Sequence, residues 1–282
     1  MKYIDVEEIK QLELEILRAF IRYCEKHDLK YTLYAGTLLG AVRHNGFIPW
    51  DDDIDVAMPR PDYERFMKLI QKEPVGNYLK FYVYSDETSP YWVPIAKLVD
   101  DRTAGNEIYQ GKGVHNGVWI DIFPIDGITS DPQERKQYIK TLTKEMRWLT
   151  LETLPFVFTR NPVKLLKRLL VYPVYLLGHR KDHKVRARRI NQLAQKYRYE
   201  DCELVAVNND SAGEGSVLEK KVWEETVKHT FEDLEAEIPV DYDRCLTKLY
   251  GDYMTPPPEH LRVPIHKFQC WWKEEYTPVS EE

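Results

Sequence analysis

Cysteine is scarce in this sequence, and no two cysteines lie close together. The 282 residues contain Cys24, Cys202, Cys245 and Cys270, with no Cys-x-x-Cys pair among them. A structural zinc site needs clustered ligands, and a disulfide scaffold needs a shorter chain with denser cysteines. The spacing therefore argues against both kinds of site and predicts four free thiols in a reducing compartment.

Long apolar segments are also missing. No run of apolar residues approaches the roughly 20 that a membrane-spanning helix requires. The N-terminal segment, residues 1–17, lacks an apolar stretch followed by small residues, so it does not have the pattern of a secretory signal. These two absences predict a cytoplasmic protein.

Positive charge is in deficit over the whole chain but concentrated in one segment. The formal net charge of −6 excludes a uniformly nucleic-acid-binding surface. Residues 160–190, however, contain ten Lys and Arg against one Asp, with Leu, Val and Tyr between them. Such a segment fits either an exposed helical face or a contact with anionic lipid headgroups. The local charge favours a peripheral contact with the inner face of the membrane, and no nucleic-acid-binding motif accompanies it.

Strands and helices alternate through the first half of the chain. Helical periodicity covers residues 5–28 and 60–73, and residues 37–46 are predicted to form a short helix with Thr37 as its N-cap. Segments rich in β-branched and aromatic residues lie between these helices and continue to residue 128. This pattern predicts an α/β fold of the mixed α+β kind, with helices packed against a sheet.

Four aspartates occupy five positions of an otherwise apolar segment, GFIPWDDDIDVAMPR (residues 46–60). In a strand, alternate side chains face the same way, so Asp51, Asp53 and Asp55 are predicted to line one face while the intervening apolar residues enter the core. Carboxylates this close together beside a core raise one another's proton affinity or recruit a cation. Hard oxygen ligands favour Mg²⁺, whose coordination is completed by water and substrate phosphates. The segment therefore predicts a metal site.

Two other interpretations of the acidic segment are weaker. An EF-hand loop that starts at Asp51 needs glycine at its sixth position, where the sequence has the β-branched Val56. A solvated acidic turn is disfavoured because the neighbours of the aspartates are apolar. A further carboxylate for the site is predicted from Asp121, a single acid in an apolar segment. Asp126 is the alternative, although Gly127 beside it indicates a turn.

The segment GTLLGAVRHNGFIPWDDDIDVAMPRPDYERF (residues 36–66) resembles the signature of the LicD family, bacterial phosphocholine transferases related to the fukutins. The segments KLVDDRT, WIDIFPIDG and PVDYDRCLTKLYGDYMTPPPEHLRVPIH are also similar to blocks of this family. Together these segments cover most of the chain outside the basic helical region. The resemblance implies a nucleotidyltransferase-like core, in which a mixed sheet flanked by helices carries a Gly-[Gly/Ser] turn and an acid-x-acid strand.

The resemblance also implies roles for individual residues. Gly36 and Thr37 match the Gly-[Gly/Ser] turn, whose helix would present backbone N–H groups to a phosphate. Asp53 and Asp55 match the acid-x-acid strand and are expected to hold Mg²⁺, or Mn²⁺ in its place. Asp121 is expected to complete the metal site or to accept the acceptor's proton. The cations expected to contact the donor diphosphate are Arg43, Lys97, Arg262 and His266.

These features predict three parts in the chain. Residues 1–130 are predicted to form the nucleotidyltransferase-like catalytic core, and residues 131–200 a basic helical insertion. Residues 201–282 are predicted to complete the same active site, with a helix that stops near Gly251 before a proline-rich extended run.

The chemistry implied by the resemblance is transfer of phosphocholine from CDP-choline to a sugar hydroxyl, with release of CMP. The acceptor is expected to be a lipid-linked precursor of a teichoic acid or of a lipo- or polysaccharide. Another CDP-alcohol, such as CDP-ribitol or CDP-glycerol, and a cytidylyltransferase that releases pyrophosphate are the alternatives. A catalytically silent glycan- or lipid-binding protein is disfavoured, because it would have no reason to maintain a charge cluster that strains the core.

Overall fold

The fold is of the mixed α/β class, as predicted. A computed structural model describes residues 2–87, 89, 91–107, 117–153, 182–210, 212–264 and 268–276, together with single positions between 165 and 176. The helices in these residues are α1 (Val6–His27), α2 (Ala35–His44), α3 (Arg60–Ile70), α4 (Pro132–Thr153), α5 (His183–Ala194), α6 (Lys220–Glu224) and α7 (Tyr242–Tyr250). The strands are β1 (Lys2–Ile4), β2 (Thr32–Leu33), β3 (Asp55–Pro59), β4 (Leu79–Tyr82), β5 (Ala96–Asp100), β6 (Thr103–Glu107), β7 (Trp119–Ile128), β8 (Leu204–Ala206), β9 (Leu218–Glu219), β10 (Thr226–Phe231), β11 (Leu234–Pro239) and β12 (Phe268–Trp272).

The central sheet has the order β2-β3-β7-β5-β4, and β8 pairs with the far end of β7. Strands β3 and β7 are parallel, whereas β2 is antiparallel to β3 and β5 is antiparallel to β7. Nine of the ten residues of β7 are buried, which explains its nearly continuous apolar sequence, since a strand covered on both faces shows no polar alternation. The sheet therefore places the start of β3 beside the start of β7, deep in the molecule.

Helix α1 confirms the helix predicted over residues 5–28. The side chain of Asp5 accepts a hydrogen bond from the backbone N–H of Glu8 and caps the N-terminus, and Asp28 ends the helix with a left-handed φ of 50°. Its apolar side, which includes Leu17 and Phe20, is buried in the main core. The helix contacts β7 and β5, so it covers one face of the central sheet.

Three smaller assemblies complete the described fold. Strand β12 lies between β1 and β6 in an antiparallel sheet, and β10 pairs with β11 in a hairpin. Helices α4 and α5 contact each other and enclose a second apolar cluster. Helix α7 ends at Tyr250 with Gly251 as its C-cap, which confirms the predicted stop. The four cysteines are free, as predicted.

Asp126 is not a turn residue, contrary to the sequence prediction. It lies inside β7, is buried, and accepts hydrogen bonds from Nε and Nη2 of Arg60 at 2.6 and 2.8 Å. Gly127 does not form a turn. A Cβ at this position would lie only 2.9 Å from the carbonyl oxygens of Tyr197 and Arg198. Glycine in this strand permits close approach of a neighbouring backbone.

The predicted division at residues 130 and 200 stays a prediction. About half of the basic segment 160–190 lies outside the described residues. Among its described cations, Lys184 is buried and Arg186, Arg188 and Arg189 pair with glutamates. The membrane contact predicted for the segment stays a prediction. Among the described residues, no helix is both long enough and apolar enough to span a membrane.

Candidate active site

The parallel pairing of β3 with β7 brings carboxylates from two distant parts of the chain together. Asp55 and Asp121 are partners in the register. Oxygen atoms of Asp53, Asp55 and Asp121 all lie within 4.8 Å of one another. The structure therefore brings together the three carboxylates that the sequence selected.

The aspartates before β3 do not form the predicted extended strand. The backbone N–H of Asp51 bonds to the carbonyl of Ile48 at 2.9 Å, which turns the chain, and β3 begins only at Asp55. The turn gathers the aspartates more tightly than a strand would. Asp51, Asp52 and Asp53 also have carboxylate oxygens within 4.8 Å of one another, so Asp53 belongs to two carboxylate groups.

Helix α2 begins two residues before Thr37, so Thr37 is not its N-cap. The N-cap is Tyr34, which offers no side-chain hydrogen bond, and Ala35 enters the helix with a left-handed φ of 45°. Thr37 is buried, and its hydroxyl oxygen accepts a hydrogen bond from the backbone N–H of Asp55 at 2.8 Å. Because this hydrogen bond joins Thr37 to the first residue of β3, the Thr37 side chain positions Asp55.

Gly36 lies against the turn that carries Asp51, Asp52 and Asp53, which we call the acidic turn. A Cβ at this position would be 2.5 Å from Oδ2 of Asp51, closer than real Cβ contacts allow. Glycine therefore lets the first turn of α2 and the Asp51 carboxylate approach each other. The reason for glycine here is close approach and not a turn between strand and helix.

Asp121 is held from behind by a cation and an indole. The Nζ of Lys97 lies 3.3 Å from Oδ1 of Asp121 and 3.8 Å from the ring centre of Trp119. The Nε1 of Trp119 donates to Oδ2 of Asp121 at 3.1 Å. Lys97 is buried and directed at a carboxylate, so it orients Asp121. Its predicted contact with the donor diphosphate stays a prediction.

A cleft of about 470 Å³ opens above the acidic turn. Its acidic lining consists of Asp51, Asp53, Asp55 and Asp210. Its other lining residues are mainly small, apolar or aromatic: Ala35, Gly36, Leu39, Ile48, Trp50, Ala212, Leu249, Tyr250, Leu261 and Val263. A concave site with convergent polar groups and apolar walls is the usual form of a small-molecule site.

Two of the predicted phosphate-binding cations lie near this cleft. The guanidinium of Arg262 lies 5.3 Å from the ring centre of Trp50, which lines the cleft. Arg43, on α2, donates to the carbonyl of Tyr253 at 2.7 Å. Partial burial and the charge of Arg262 lower the pKa of Arg43. His266 lies outside the described residues.

Asp210 is a carboxylate of the cleft that sequence reasoning missed. It follows β8, and its Oδ2 accepts a hydrogen bond from the hydroxyl of Tyr34 at 2.6 Å. The only signal in the sequence was the polar segment VNND after an apolar strand. A polar residue that follows a strand is too common to identify a site, so β8 had to be placed beside β7 first.

Glu13 is a second acid that the sequence did not reveal. It lies on the buried side of α1, is 2% exposed, and its Oε2 has no hydrogen-bond partner among the described residues. Desolvation by burial and the charges of Asp53 and Asp52 raise the pKa of Glu13 well above its ordinary value. The acidic turn therefore has a further carboxyl group beneath it.

Crowding of negative charge dominates the electrostatics of the site. Desolvation and the charges of Asp53 and Asp121 raise the pKa of Asp55 well above its ordinary value. Partial burial and the charges of Asp55 and Asp51 likewise raise the pKa of Tyr250, so its phenol keeps its proton. A bound divalent cation would relieve this repulsion.

The donor set at the cleft fits a hard divalent cation. The three grouped carboxylates, from Asp53, Asp55 and Asp121, offer only oxygen atoms. Oxygen ligands suit Mg²⁺ and Mn²⁺, whereas thiolate and imidazole would indicate softer metals. Asp53, Asp55 and Asp121 are thus the residues that could hold such an ion.

Comparisons with known proteins agree with this arrangement. Residues 28–138 match the family model described as LicD/FKTN/FKRP, nucleotidyltransferase domain. The lipopolysaccharide cholinephosphotransferase LicD of Haemophilus influenzae is 32% identical over 279 residues, which cover 94% of this chain and 97% of the relative. An uncharacterized protein of Rickettsia typhi is 37% identical over 71 residues, which cover 25% of this chain and 23% of the relative. The matched residues include the acidic turn, β3 and the start of β7, and on this similarity the chain belongs to the LicD family.

Proposed function

We propose that this protein transfers phosphocholine from CDP-choline to a sugar hydroxyl of a cell-surface glycan precursor and releases CMP. The observation that carries the proposal is the grouping of Asp53, Asp55 and Asp121 within 4.8 Å at a cleft of about 470 Å³. The similarity to a lipopolysaccharide cholinephosphotransferase over nearly the whole chain supports the choice of phosphocholine and of a glycan acceptor.

The chain's own groups can bind and orient the donor diphosphate. Asp53, Asp55 and Asp121 would hold Mg²⁺ or Mn²⁺, and the ion would neutralise charge on the diphosphate and on the leaving phosphate. Arg262 and Arg43 would add positive charge at the rim of the cleft. The buried ion pair of Lys97 with Asp121 would keep that carboxylate in place.

The reaction is an in-line substitution at the choline-side phosphorus. A bond forms from the acceptor oxygen to phosphorus, while the bond from phosphorus to the bridging diphosphate oxygen breaks and its electron pair leaves with CMP. The acceptor proton must pass to a base. Asp210 is better placed for this than Asp121, because Asp210 lines the cleft whereas Asp121 is held by Lys97 and Trp119.

The location follows from the chemistry of the substrates. A CDP-alcohol is a cytoplasmic metabolite. The reaction would therefore take place in the cytoplasm, on a lipid-linked precursor at the inner face of the membrane. Teichoic acid and lipo- or polysaccharide precursors both offer sugar hydroxyls. The acceptor sugar is left open in this proposal.

The test is release of CMP from CDP-choline, with membrane glycolipid as acceptor, in Mg²⁺ or in EDTA. We expect release in Mg²⁺ only, and a loss of about 100- to 1,000-fold in Asp53→Asn, because one displaced ligand removes a large electrostatic contribution. Arg65→Gln, an exposed change on α3, is the control. The same assay with CDP-ribitol, CDP-glycerol, and CTP plus phosphocholine covers the alternatives. Turnover of another CDP-alcohol in place of CDP-choline, or release of pyrophosphate, would contradict the assignment of phosphocholine transfer. Turnover that EDTA leaves unchanged would contradict the metal.

A further inference from the structure

The side of α4 that faces away from the core carries a stripe of basic and apolar side chains. At 3.6 residues per turn, these side chains fall within one arc of the helix, opposite the buried Tyr138, Leu142 and Leu149. The four cations of the stripe are exposed, and its Trp is 37% exposed. We call this surface the α4 stripe; it consists of Lys136, Lys140, Thr143, Lys144, Arg147, Trp148 and Leu151.

The acidic side chains of α4 lie outside the α4 stripe and form ion pairs with cations from other parts of the chain. Glu145 and Glu152 are buried, and both pair with Arg186 on α5. Glu134 pairs with Lys196. Within the part of the chain that the structure describes, the four stripe cations form no ion pair. The stripe is therefore a positively charged surface on a chain whose net charge is −6.

The α4 stripe has a groove and apolar side chains in addition to its positive charges. A groove of about 460 Å³ runs along it between Lys140, Lys144, Arg147 and Trp148. Further along the chain, described leucines are also exposed, including Leu170 at 73%. An aromatic ring beside exposed cations suits the boundary between headgroups and acyl chains, where one end of the indole is apolar and the other is wet.

The stripe is close to the candidate active site. On the neighbouring side of α4, a Cβ at Gly213 would lie 3.4 Å from Ile139, and Arg135 donates to Glu214 at 2.8 Å. Ala212, at the start of this loop (residues 212–216), lines the cleft together with Asp210. The N-terminal end of the stripe, at Lys136, is therefore beside this loop, whereas Leu151 lies ~22 Å further along the helix axis at 1.5 Å per residue.

We propose that the α4 stripe binds the anionic headgroup surface of a lipid bilayer and so holds the cleft beside a membrane-anchored acceptor. Anionic headgroups complement the four exposed cations, and the bilayer also accommodates Trp148 and Leu151. A nucleic acid would use the cations but would gain little from the apolar residues. The proposal rests on the helix surface and holds whichever donor the enzyme uses.

The test is cosedimentation of the full chain with vesicles of equal parts phosphatidylglycerol and phosphatidylcholine, and with vesicles of phosphatidylcholine alone. We expect binding to the anionic vesicles only, decreasing as salt increases. The variant Lys140→Gln, Lys144→Gln, Arg147→Gln should bind about 100-fold more weakly, at about one kcal/mol for each basic residue near the surface. The matched control carries Lys68→Gln, Lys72→Gln and Lys221→Gln, three exposed lysines on other elements, with the same change in net charge.

The outcomes separate the possibilities. Equal loss in the stripe and control variants, equal binding to both kinds of vesicle, or no binding by the wild type would overturn the proposal, as would retention of duplex RNA without retention of vesicles. Trp148→Ser should weaken the binding that persists at high salt while circular dichroism shows an intact fold. No step of this test requires donor or turnover, so its result is independent of the proposed transfer reaction.

Discussion

The hydroxyl oxygen of Thr37 accepts a hydrogen bond from the backbone N–H of Asp55 at 2.8 Å and thereby ties α2 to the first residue of β3. Thr37→Val keeps the shape of the side chain but leaves that N–H without an acceptor, which costs about 1–3 kcal/mol. We expect kcat/KM for CMP release to fall about tenfold or more. Thr37→Ser should keep most of the activity, and equal losses in both variants would show that the methyl group matters instead.

Close approach at Gly36 gives a prediction with a matched control. In Gly36→Ala the new Cβ would lie only 2.5 Å from Oδ2 of Asp51, so the Asp51 carboxylate would have to move. We expect CMP release to fall about tenfold or more, with a melting temperature within a few degrees of the wild type, since alanine itself favours helix. Gly215→Ala adds a methyl group whose nearest neighbour is at an ordinary 3.5 Å, so it should change neither quantity. Unchanged activity in Gly36→Ala would refute a role for this approach.

The raised pKa of Asp55 predicts a pH-dependent stability in EDTA. Because the pKa is higher in the folded state than the roughly 3.9 of the unfolded chain, the folded protein loses stability as pH rises above that value. Asp55→Asn removes this loss, so in EDTA it should melt higher than the wild type at about pH 7. The difference should vanish below about pH 3, where the carboxyl is protonated in both states.

Mg²⁺ should reverse this order at neutral pH, because only the wild type has the full set of carboxylates to bind it. Melting curves across the pH range, with EDTA or with Mg²⁺, measure both effects. Asp201→Asn, an exposed aspartate, is the control and should follow the wild type. A wild type that melts as high as Asp55→Asn in EDTA at neutral pH would contradict the repulsion.

The position of Asp210 in the cleft predicts a separation of chemistry from binding. Asp210→Asn should lower kcat about 100-fold or more, the usual contribution of a general base. The rise in melting temperature produced by CDP-choline with Mg²⁺ should persist. Tyr34→Phe, which removes only the hydroxyl that donates to Asp210 at 2.6 Å, should have a smaller effect. Loss of the donor-induced rise in Asp210→Asn would instead make Asp210 a donor-binding residue.

The buried pair of Arg60 and Asp126 predicts a large effect on stability. Asp126→Asn removes the buried charge partner of Arg60 and leaves its guanidinium, among the described residues, only the more exposed Glu64 at 3.3 Å as a charge partner. Loss of a buried partner typically costs about 3–5 kcal/mol of the free energy of unfolding. The double variant Arg60→Met, Asp126→Leu should cost less than the single change. Urea unfolding curves measure this. Similar losses in the single and double variants would show that the charges of the pair contribute little.

The acidic site was largely predictable because its residues contrast with their surroundings. Asp53, Asp55 and Asp121 are charged residues among apolar ones, and the sheet had to place them either in the core or at a site. Helix α1 was predictable for a related reason, since its apolar spacing and its capping residue Asp5 agree.

Other features depend on contacts that no local pattern contains. The start of α2 was misplaced because Tyr34 has no capping side chain and Ala35 has a left-handed φ that alanine rarely adopts. Asp126 was misread because Gly127 usually signals a turn, whereas here it admits the backbone of residues 197–198. Asp210 required knowledge of which strand β8 joins.

The sheet β1-β12-β6 has a consequence for the order of folding. Lys2 pairs with Trp272, so the first described strand of the chain can find its partner only after almost all of the described chain has been synthesised. The strands that carry the acidic site, β3 and β7, are available much earlier. Contacts this distant in sequence form slowly, because a large loop must close first. During translation β1 is therefore made long before β12 is available to pair with it, whereas β3 and β7 can pair earlier.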